Sequence, residues 1–337
     1  MAYPWHSRPF EALLTRAGRL PHALLLRGRE GIGKLAFAEA VARALLCESP
    51  RAGGRACGQC AACAWMEQGS HPDFRRFEPE NLAEAAEAEQ GSDRRASLQI
   101  PVEQVRGIAD FINISSHRGG AKVVLIHPAE TLNVHAANAL LKNLEEPPPR
   151  TYFLLVAHRW HQLLPTIRSR CEQVVLAAPS HAEARDWLGA QKLRDADLAL
   201  VQAGGAPLLA LKFDEDYWRQ REALLTAITS PGFDSLSAAE QLRETAPALV
   251  VGWLQKWAFD LVSHKVTGRV RYNPDLSDAV ATTAARLDLT EALRFQRYMV
   301  KLQRIVAHPL NTRLFLEQLL LAYAALLRRS PGAPAAS

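Results

Sequence analysis

A glycine-rich loop between a short apolar run and a helical segment constrains the fold of this chain more than any other feature. Residues 24–26 are three leucines, typical of a short buried strand, and residues 35–46 have helical spacing. Between them lies Gly28-Arg29-Glu30-Gly31-Ile32-Gly33-Lys34. A strand, a glycine loop and a helix in that order are the context of a phosphate-binding loop. The order therefore predicts an α/β domain built around such a loop.

Further short apolar runs support a mostly parallel sheet. They lie at residues 123–126, 152–156 and 173–176 and alternate with helical stretches. We expect this first α/β domain to span residues 1–178. Within it, residues 78–97 are rich in Ala, Glu and Gln and are predicted to form a flexible surface insertion.

The rest of the chain is predicted to be helical. Residues 179–213 are expected to form a small helical domain and residues 214–328 a larger one, followed by a disordered tail at residues 329–337. Helical periodicity in the larger domain is clearest at residues 249–262, 287–307 and 312–327.

The loop carries most, but not all, of a nucleotide site. In such a loop backbone N–H groups surround phosphate oxygens and a lysine contacts the terminal phosphates. Gly28, Gly31, Gly33 and Lys34 match that pattern. The next residue is Leu35, which has no hydroxyl group to coordinate magnesium. Two interpretations stay open: a glycine turn without a ligand, and weak nucleotide binding.

Hydrolysis also requires acidic residues at the end of a second strand, one for the metal and usually one to polarise water. At that place the apolar run at residues 123–126 continues into His127-Pro128. Glu130 is a candidate substitute base, although a carboxylate at a turn or helix start is the interpretation that we favour. We therefore expect no ATP hydrolysis by the isolated chain.

Four cysteines form the compact pattern Cys47-x9-Cys57-x2-Cys60-x2-Cys63. Two overlapping C-x-x-C steps with a thiol upstream suit Zn²⁺ bound tetrahedrally by four thiolates. Since four protein ligands leave no open position, the predicted metal is structural. A redox dithiol and free structural thiols are the alternatives, and disulfides are not expected in a cytosolic chain.

A basic turn, Ser169-Arg170-Cys171, precedes the last apolar run. A lone arginine at a turn is usually a solvated surface residue. An arginine can also donate a bidentate fork to a phosphoryl group in transfer, including across a subunit boundary. Upstream, residues 133–150 are predicted to form a helix closed by prolines, and core packing explains its apolar spacing.

Composition limits the class of protein but not its partner. The 337 residues, 48% of them apolar, can form two or three compact domains. No apolar run is long enough to span a bilayer and the first residues lack the apolar stretch of a signal peptide, so we expect a cytoplasmic location. The 40 basic and 35 acidic residues are nearly matched, and the net charge of +5 permits contact with nucleic acid without requiring it.

Taken together, these features resemble the clamp-loader branch of the AAA+ family. The resemblance is carried by the cysteine pattern, Ser169-Arg170-Cys171, Trp5 and the segments at residues 21–25, 71–73, 119–124 and 136–148. The last of these reads Ala-Ala-Asn-Ala-Leu-Leu-Lys-Asn-Leu-Glu-Glu-Pro-Pro. The resemblance covers residues 1–178 well. It implies an AAA+ P-loop NTPase-like domain with an inserted zinc module, then a small helical lid domain and an all-α collar domain.

The chain departs from the motor subunits of that family. Those subunits also have a Thr after the third strand of the site and an arginine in the lid, where this chain has Ala157-His158 and Gly204-Gly205-Ala206-Pro207. With Leu35 and His127-Pro128, these departures imply a subunit that does not hydrolyse ATP. The retained Lys34 leaves nucleotide binding open.

The resemblance further implies that Arg170, with Ser169 beside it, acts in trans as an arginine finger in the ATP site of a neighbouring motor subunit. It implies a ring-like hetero-pentamer with gamma/tau and delta subunits, joined by the collar domains, that loads the beta sliding clamp onto primed DNA. No independent catalytic site is expected, because nucleotidyltransferase activity belongs to the DNA polymerase holoenzyme of which such a subunit is a component.

Two other functions fit parts of the sequence. An active ATPase motor of the same family is favoured by Lys34 and the glycines and opposed by the four departures. A zinc-stabilised DNA-binding module is suggested by the cysteines and the pI near 9.0. However, no basic helix with interleaved aromatic residues stands out, and any DNA contact is expected to be to phosphates.

Overall fold

The computed structural model describes residues 3–16, 19–82, 97–117, 120–306 and 311–328. The chain forms two compact units, Met1–Glu183 and Ala184–Ser337. Most of the insertion predicted at residues 78–97 and the whole tail predicted at residues 329–337 lie outside the described residues. The division into three domains, with boundaries at residues 178 and 213, stays a prediction.

The first unit is built on a five-stranded parallel sheet. Its strands are β1 (Ala23–Arg27), β2 (Phe74–Phe77), β3 (Lys122–Ile126), β4 (Thr151–Ala157) and β5 (Glu172–Val175). They lie in the order β2-β3-β4-β1-β5, and every neighbouring pair is parallel. The central strands are buried on both faces, which explains their continuous apolar runs. The predicted α/β fold is therefore confirmed.

The edge strand β2 has no counterpart among the sequence predictions. Its sequence is Phe-Arg-Arg-Phe, and both arginines are exposed. An edge strand pairs with one neighbour only and needs no continuous apolar run. The other four strands match the predicted runs to within one residue at each end.

Helices cover both faces of this sheet. They are α1 (Ser7–Leu14), α2 (Lys34–Leu46), α3 (Ala61–Glu67), α4 (Val102–Asn113), α5 (Val134–Glu145) and α6 (Pro165–Arg168). Helices α4 and α5 pack on one face, where Ile108 and Leu140 join the core around Phe153. Helix α2 packs against β1, β3 and β4. Asn133 starts α5 by accepting a hydrogen bond from the backbone N–H of Ala136 at 2.8 Å.

The second unit is helical. Helix α7 (His181–Ala190) includes the unit boundary after Glu183, and the following helices are α8 (Ala196–Gln202), α9 (Pro207–Ala210), α10 (Glu215–Thr229), α11 (Ser235–Gln241), α12 (Pro247–Thr267), α13 (Ser277–Arg286), α14 (Leu289–Ile305) and α15 (Thr312–Arg328). A small core around Leu188 and Leu200 joins α7, α8 and α9. The larger core centres on Trp257, whose Nε1 donates a hydrogen bond to the hydroxyl of Tyr323 at 3.0 Å. The predicted long helices correspond to α12, α14 and α15.

Candidate functional site

The glycine loop joins the carboxyl end of β1 to the amino end of α2. Gly31 and Gly33 have φ angles of 75° and 88°, a left-handed conformation that glycine adopts without strain. Gly28 is required for a different reason, since a Cβ atom there would overlap the carbonyl oxygen of Leu176. The predicted glycines therefore give the chain the tight path that brings backbone N–H groups together at a helix start.

Lys34 is the first residue of α2 and is only 2% exposed. Its Nζ donates a hydrogen bond to the carbonyl oxygen of Arg29 at 2.5 Å. Burial lowers the pKa of Lys34 to about 8, against the opposing charges of Glu130 and Glu30. The amine is thus held inside its own loop and is mostly protonated at neutral pH.

The amino-terminal segment covers part of this loop, a contact that no pattern in the sequence predicts. The indole Nε1 of Trp5 donates a hydrogen bond to the carbonyl oxygen of Ile32 at 2.9 Å. The ring of Tyr3 lies so close to Gly33 that a Cβ atom at this glycine would overlap it. Two aromatic side chains therefore pack against the loop backbone. The available signal is the aromatic pair Tyr3 and Trp5 ahead of α1.

Two histidines occupy the strand ends where hydrolysis needs acidic and hydroxyl groups. His127 follows β3 and His158 follows β4, and their ring centroids are 5.3 Å apart. Burial lowers the pKa of each to about 4, helped by the charge of Lys34. His6, beside the loop and 1% exposed, has a pKa of about 4, again because of burial and the charge of Lys34. These rings are neutral at pH 7 and are not the oxygen ligands that magnesium prefers.

Glu130 binds backbone groups rather than facing open solvent. Its carboxylate accepts hydrogen bonds from the backbone N–H of His158 at 3.0 Å and of Arg159 at 2.8 Å. The side chain is 1% exposed. These contacts link the turn after β3 to the end of β4, in agreement with the interpretation of Glu130 as a turn carboxylate.

The four cysteines of the predicted metal site lie together. Their sulfur atoms are all within 4.8 Å of one another. The Sγ–Sγ distances are 3.9 Å for Cys47–Cys60, 3.9 Å for Cys57–Cys63 and 3.7 Å for Cys47–Cys63. Four thiolates around Zn²⁺, with Zn–S bonds of about 2.3 Å, form a tetrahedron with edges of about 3.8 Å. The cluster can therefore hold a metal ion such as zinc.

Local structure favours the thiolate form of Cys57 and disfavours that of Cys63. Backbone N–H groups of Gln59 and Cys60 point at the Cys57 sulfur, at 3.4 and 3.3 Å, and lower the pKa of Cys57 to about 6. Burial raises the pKa of Cys63 to about 12. Cys47 follows α2, whose 13 residues separate the cluster from Lys34 by roughly 20 Å. The cluster is thus remote from the phosphate loop.

Arg170 lies in the turn between α6 and β5. Its Nε donates a hydrogen bond to Oε1 of Glu145 at 2.6 Å, and its Nη2 contacts the same carboxylate. Its Nη1 donates to the carbonyl oxygen of Thr166 at 3.0 Å and contacts Oγ of Ser169 at 3.4 Å. Ser169 Oγ itself donates to that carbonyl oxygen at 3.0 Å. The Arg170 side chain remains 34% exposed.

Arg170 and the phosphate loop lie at opposite edges of the sheet. Strands β1 and β5 are parallel, with Leu24 level with Glu172 and Arg27 level with Val175. The loop follows Arg27 at the carboxyl edge, whereas Arg170 precedes Glu172 at the amino edge. At about 3.3 Å per residue the two sites are roughly 15–20 Å apart along the strands. Arg170 therefore cannot reach the loop of its own chain.

Among the described residues, no helix has both the length and the apolar character needed to cross a membrane.

Comparison with known proteins assigns the chain to a family. The family described as "DNA polymerase III, delta subunit" matches residues 10–180, and "DNA polymerase III, delta subunit, C terminal" matches residues 215–324. The chain is 35% identical to "DNA polymerase III subunit delta'" of Pseudomonas aeruginosa, over 96% of this chain and 98% of that protein. It is 36% identical to the protein of the same description from Escherichia coli K12, over 85% of this chain and 83% of that protein.

The five-stranded parallel sheet, with a glycine loop between β1 and α2 and a helical second unit after it, defines a protein with a P-loop NTPase-like fold. Within that class, the chain belongs to the DNA polymerase III subunit delta' family and is an accessory subunit of the polymerase complex. The sequence segments that resemble the clamp-loader branch are most similar to the bacterial delta-prime subunit, and this identification is confirmed.

Proposed function

We propose that this chain is the non-hydrolysing stator of the clamp loader and that Arg170 completes the ATP site of a neighbouring gamma/tau motor. The position of Arg170 at the amino edge, out of reach of its own phosphate loop, carries the proposal. An arginine aimed at a transferring phosphoryl group stabilises the charge that develops there. Ser169 supports the same turn through its hydrogen bond to Thr166.

The carboxyl edge supports the absence of hydrolysis by this chain. Leu35 offers no metal ligand, and His127 and His158 are neutral imidazoles at the two strand ends. The lid segment at residues 204–207 contains no arginine. A bound triphosphate would therefore lack both the magnesium shell and the polarised water that hydrolysis needs.

Nucleotide binding at Gly28, Gly31, Gly33 and Lys34 is proposed to be weak or absent. The loop has the required backbone path, but the amine of Lys34 is buried and hydrogen-bonded within the loop. The aromatic rings at residues 3 and 5 also pack on its backbone.

Zn²⁺ bound by Cys47, Cys57, Cys60 and Cys63 is proposed to be structural. The sulfur–sulfur distances and the N–H groups aimed at Cys57 support this ligand set. With four thiolates the metal has no open position, so it would supply cross-linking between the end of α2 and the start of α3.

The partners follow from the proposed family role. The chain would join gamma/tau and delta subunits in a hetero-pentameric ring and act on the beta sliding clamp and primed DNA through that complex. The second unit supports a role in assembly, because α14 and α15 each expose apolar residues seven positions apart. These residues are Leu293 and Val300 on α14 and Leu314 and Leu321 on α15, with exposures of 42–61%.

An active motor is the second candidate. It is favoured by the intact path of the glycine loop, by Lys34, and by 35% identity to "DNA polymerase III subunit tau" of Salmonella typhimurium over 48% of this chain and 22% of that protein. The two candidates differ in which chain's phosphate loop is used, so hydrolysis measurements separate them.

The test is steady-state ATP hydrolysis by the isolated chain and by its complex with gamma/tau and delta. We expect no turnover by the isolated chain and stimulated turnover in the complex. An arginine finger increases the rate of hydrolysis ~10³–10⁵-fold at the site that it serves. Arg170→Ala should therefore lower ATP turnover by the complex by the part that one motor site contributes. Arg106→Ala, which changes an exposed arginine on α4, is the matched control.

Assembly of the Arg170→Ala complex is verified by gel filtration before turnover is compared. Normal turnover in that assembled complex would reject the role of Arg170. Substantial turnover by the isolated chain, abolished by Lys34→Ala, would identify a motor instead.

A further inference from the structure

We propose that Glu145 is a positioning residue that holds Arg170 by a hydrogen-bonded ion pair in the free chain and releases it when Arg170 enters a neighbour's ATP site. The inference rests on the proposed role of Arg170. It concerns the last residue of α5, within the Leu-Glu-Glu-Pro-Pro sequence at residues 144–148. Core packing explains the apolar residues of this helix but not its terminal carboxylate.

The guanidinium of Arg170 is engaged on all three nitrogens by its own chain. Its Nε and Nη2 face the Glu145 carboxylate, while Nη1 faces the Thr166 carbonyl oxygen and the Ser169 hydroxyl. Phosphate recognition by arginine uses the same planar fork of N–H donors. In the free chain that fork is therefore directed at a carboxylate.

The backbone holds Glu145 firmly in this place. The preceding residue, Leu144, is 1% exposed, and its carbonyl oxygen lies 2.8 Å from Nε2 of His22, at the amino end of β1. Pro147 prevents continuation of the helix. The carboxylate is thus fixed at the amino edge of the sheet, where Arg170 also lies.

Engagement of ATP exchanges one anionic partner of Arg170 for another. The two side chains are 34% and 48% exposed, and ion pairs of this kind are weak. A triphosphate carries more charge than one carboxylate, so the exchange is favourable, but releasing Glu145 opposes it. Removing the carboxylate charge should therefore strengthen ATP binding at the neighbouring site by roughly two- to fivefold.

The chain offers a matched control. Glu146 is exposed and adjacent in sequence, and its backbone N–H donates to the carbonyl oxygen of Lys142. Glu146→Gln makes the same change in charge and volume one residue further along, whereas it is Glu145 that accepts the hydrogen bond from Arg170. Glu145→Asp keeps the charge with a shorter side chain and is the conservative rescue.

The experiment measures KM and kcat for ATP with the assembled complex carrying each variant of this chain. We expect Glu145→Gln to lower KM two- to fivefold with little change in kcat, and Glu146→Gln and Glu145→Asp to stay near wild type. The Glu145→Gln effect should disappear when Arg170→Ala is also present, because the carboxylate acts through the arginine.

Each outcome decides one of the two proposals. An unchanged or raised KM with Glu145→Gln, or an equal decrease with Glu146→Gln, overturns the proposal that Glu145 holds Arg170 in the free chain. A decrease that persists with Arg170→Ala also overturns it, since Glu145 would then act by another route. Normal turnover with Arg170→Ala alone rejects the proposed function itself, which is a different result.

Discussion

The two edges of the sheet in the first unit differ in the groups that they present. The carboxyl edge carries the glycine loop and a buried lysine. Neutral histidines stand there in place of the groups that would bind magnesium and polarise the attacking water. The amino edge carries a partly exposed arginine on a turn whose Ser169-Arg170-Cys171 motif is complete. A site that serves its own chain needs several groups at once, whereas an arginine that serves a neighbour needs only position and exposure. A chain that has the arginine but lacks the groups of a complete hydrolytic site fits a subunit that assists the chemistry of a neighbouring subunit.

The cysteine cluster belongs with the amino edge. Helix α2 runs back from the carboxyl edge, where Lys34 starts it, and Cys47 follows its end.

The edges also differ in how charge is controlled. At the carboxyl edge burial sets the pKa of Lys34 and of the histidines, while at the amino edge Arg170 is paired with an exposed carboxylate.

Loss of a proposed zinc ligand should have the largest effect on stability. Structural zinc contributes on the order of 10–16 kcal/mol of binding free energy in small domains, so Cys57→Ser should lower the unfolding free energy of the first unit by several kcal/mol. Metal analysis and urea unfolding of the purified chain measure this. The ATP turnover of the complex, per folded chain, should change little, which would define the cluster as structural.

Cys171→Ser is the control for that variant, because Cys171 is buried in the sheet core rather than in the cluster. It should keep one zinc ion per chain. Freshly purified wild-type chain without zinc, or equal zinc content in Cys57→Ser, would contradict the four-cysteine site.

Mild acid should have the next largest effect, through the carboxyl edge. The pKa of His6, His127 and His158 is about 4 in the folded chain, lowered from 6.5. The unfolded chain therefore binds more protons between these values, and the unfolding free energy falls as the pH decreases from 6.5 to 4. After allowance for partial solvent screening we expect a loss of about 1–2 kcal/mol per histidine. Urea unfolding at several pH values between 7 and 4.5 measures it.

Variants assign this loss to the carboxyl edge. His158→Gln should make the stability of the first unit less dependent on pH, since one of the three imidazoles whose pKa is lowered to about 4 is gone. His161→Gln, at an exposed position, should leave the pH dependence as in wild type. Constant unfolding free energy between pH 6.5 and 4.5 would show that these rings are not held neutral by burial.

The features that the sequence predicts are the local ones. Glycine spacing determines the path of the loop, and C-x-x-C spacing places thiols within one or two turns of each other, so the loop and the cysteine cluster follow from neighbouring residues. The three inner strands and the edge strand β5 follow from their apolar runs, whereas the other edge strand, β2, has two exposed arginines and no such run.

The contacts that the sequence does not predict join distant residues. The hydrogen bond from Trp5 to Ile32 spans 27 residues, and the one from Arg170 to Glu145 spans 25. Both depend on how helices pack onto the sheet rather than on local pattern. Only the structure therefore shows that aromatic rings pack on the loop and that Arg170 pairs with Glu145.

Lys34→Met should have the smallest effect and tests the comparison of the two edges most directly. The variant keeps the length of the side chain and removes its charge. Because burial already disfavours the charged form and one hydrogen bond is lost, we expect the unfolding free energy at pH 7 to change by no more than about 1 kcal/mol. ATP turnover by the complex should match wild type, as should that of the exposed control Lys142→Met.

The same variant should weaken the effect of acid. The charge of Lys34 contributes to the low pKa of His6, His127 and His158. Without it these values rise toward 6.5, the difference from the unfolded chain becomes smaller, and less stability is lost between pH 6.5 and 4. If Lys34→Met instead lowers turnover as Arg170→Ala does, the carboxyl edge takes part in catalysis and the contrast between the edges is wrong. Normal turnover with reduced acid sensitivity would leave Lys34 as a buried charge that sets the protonation of its neighbours.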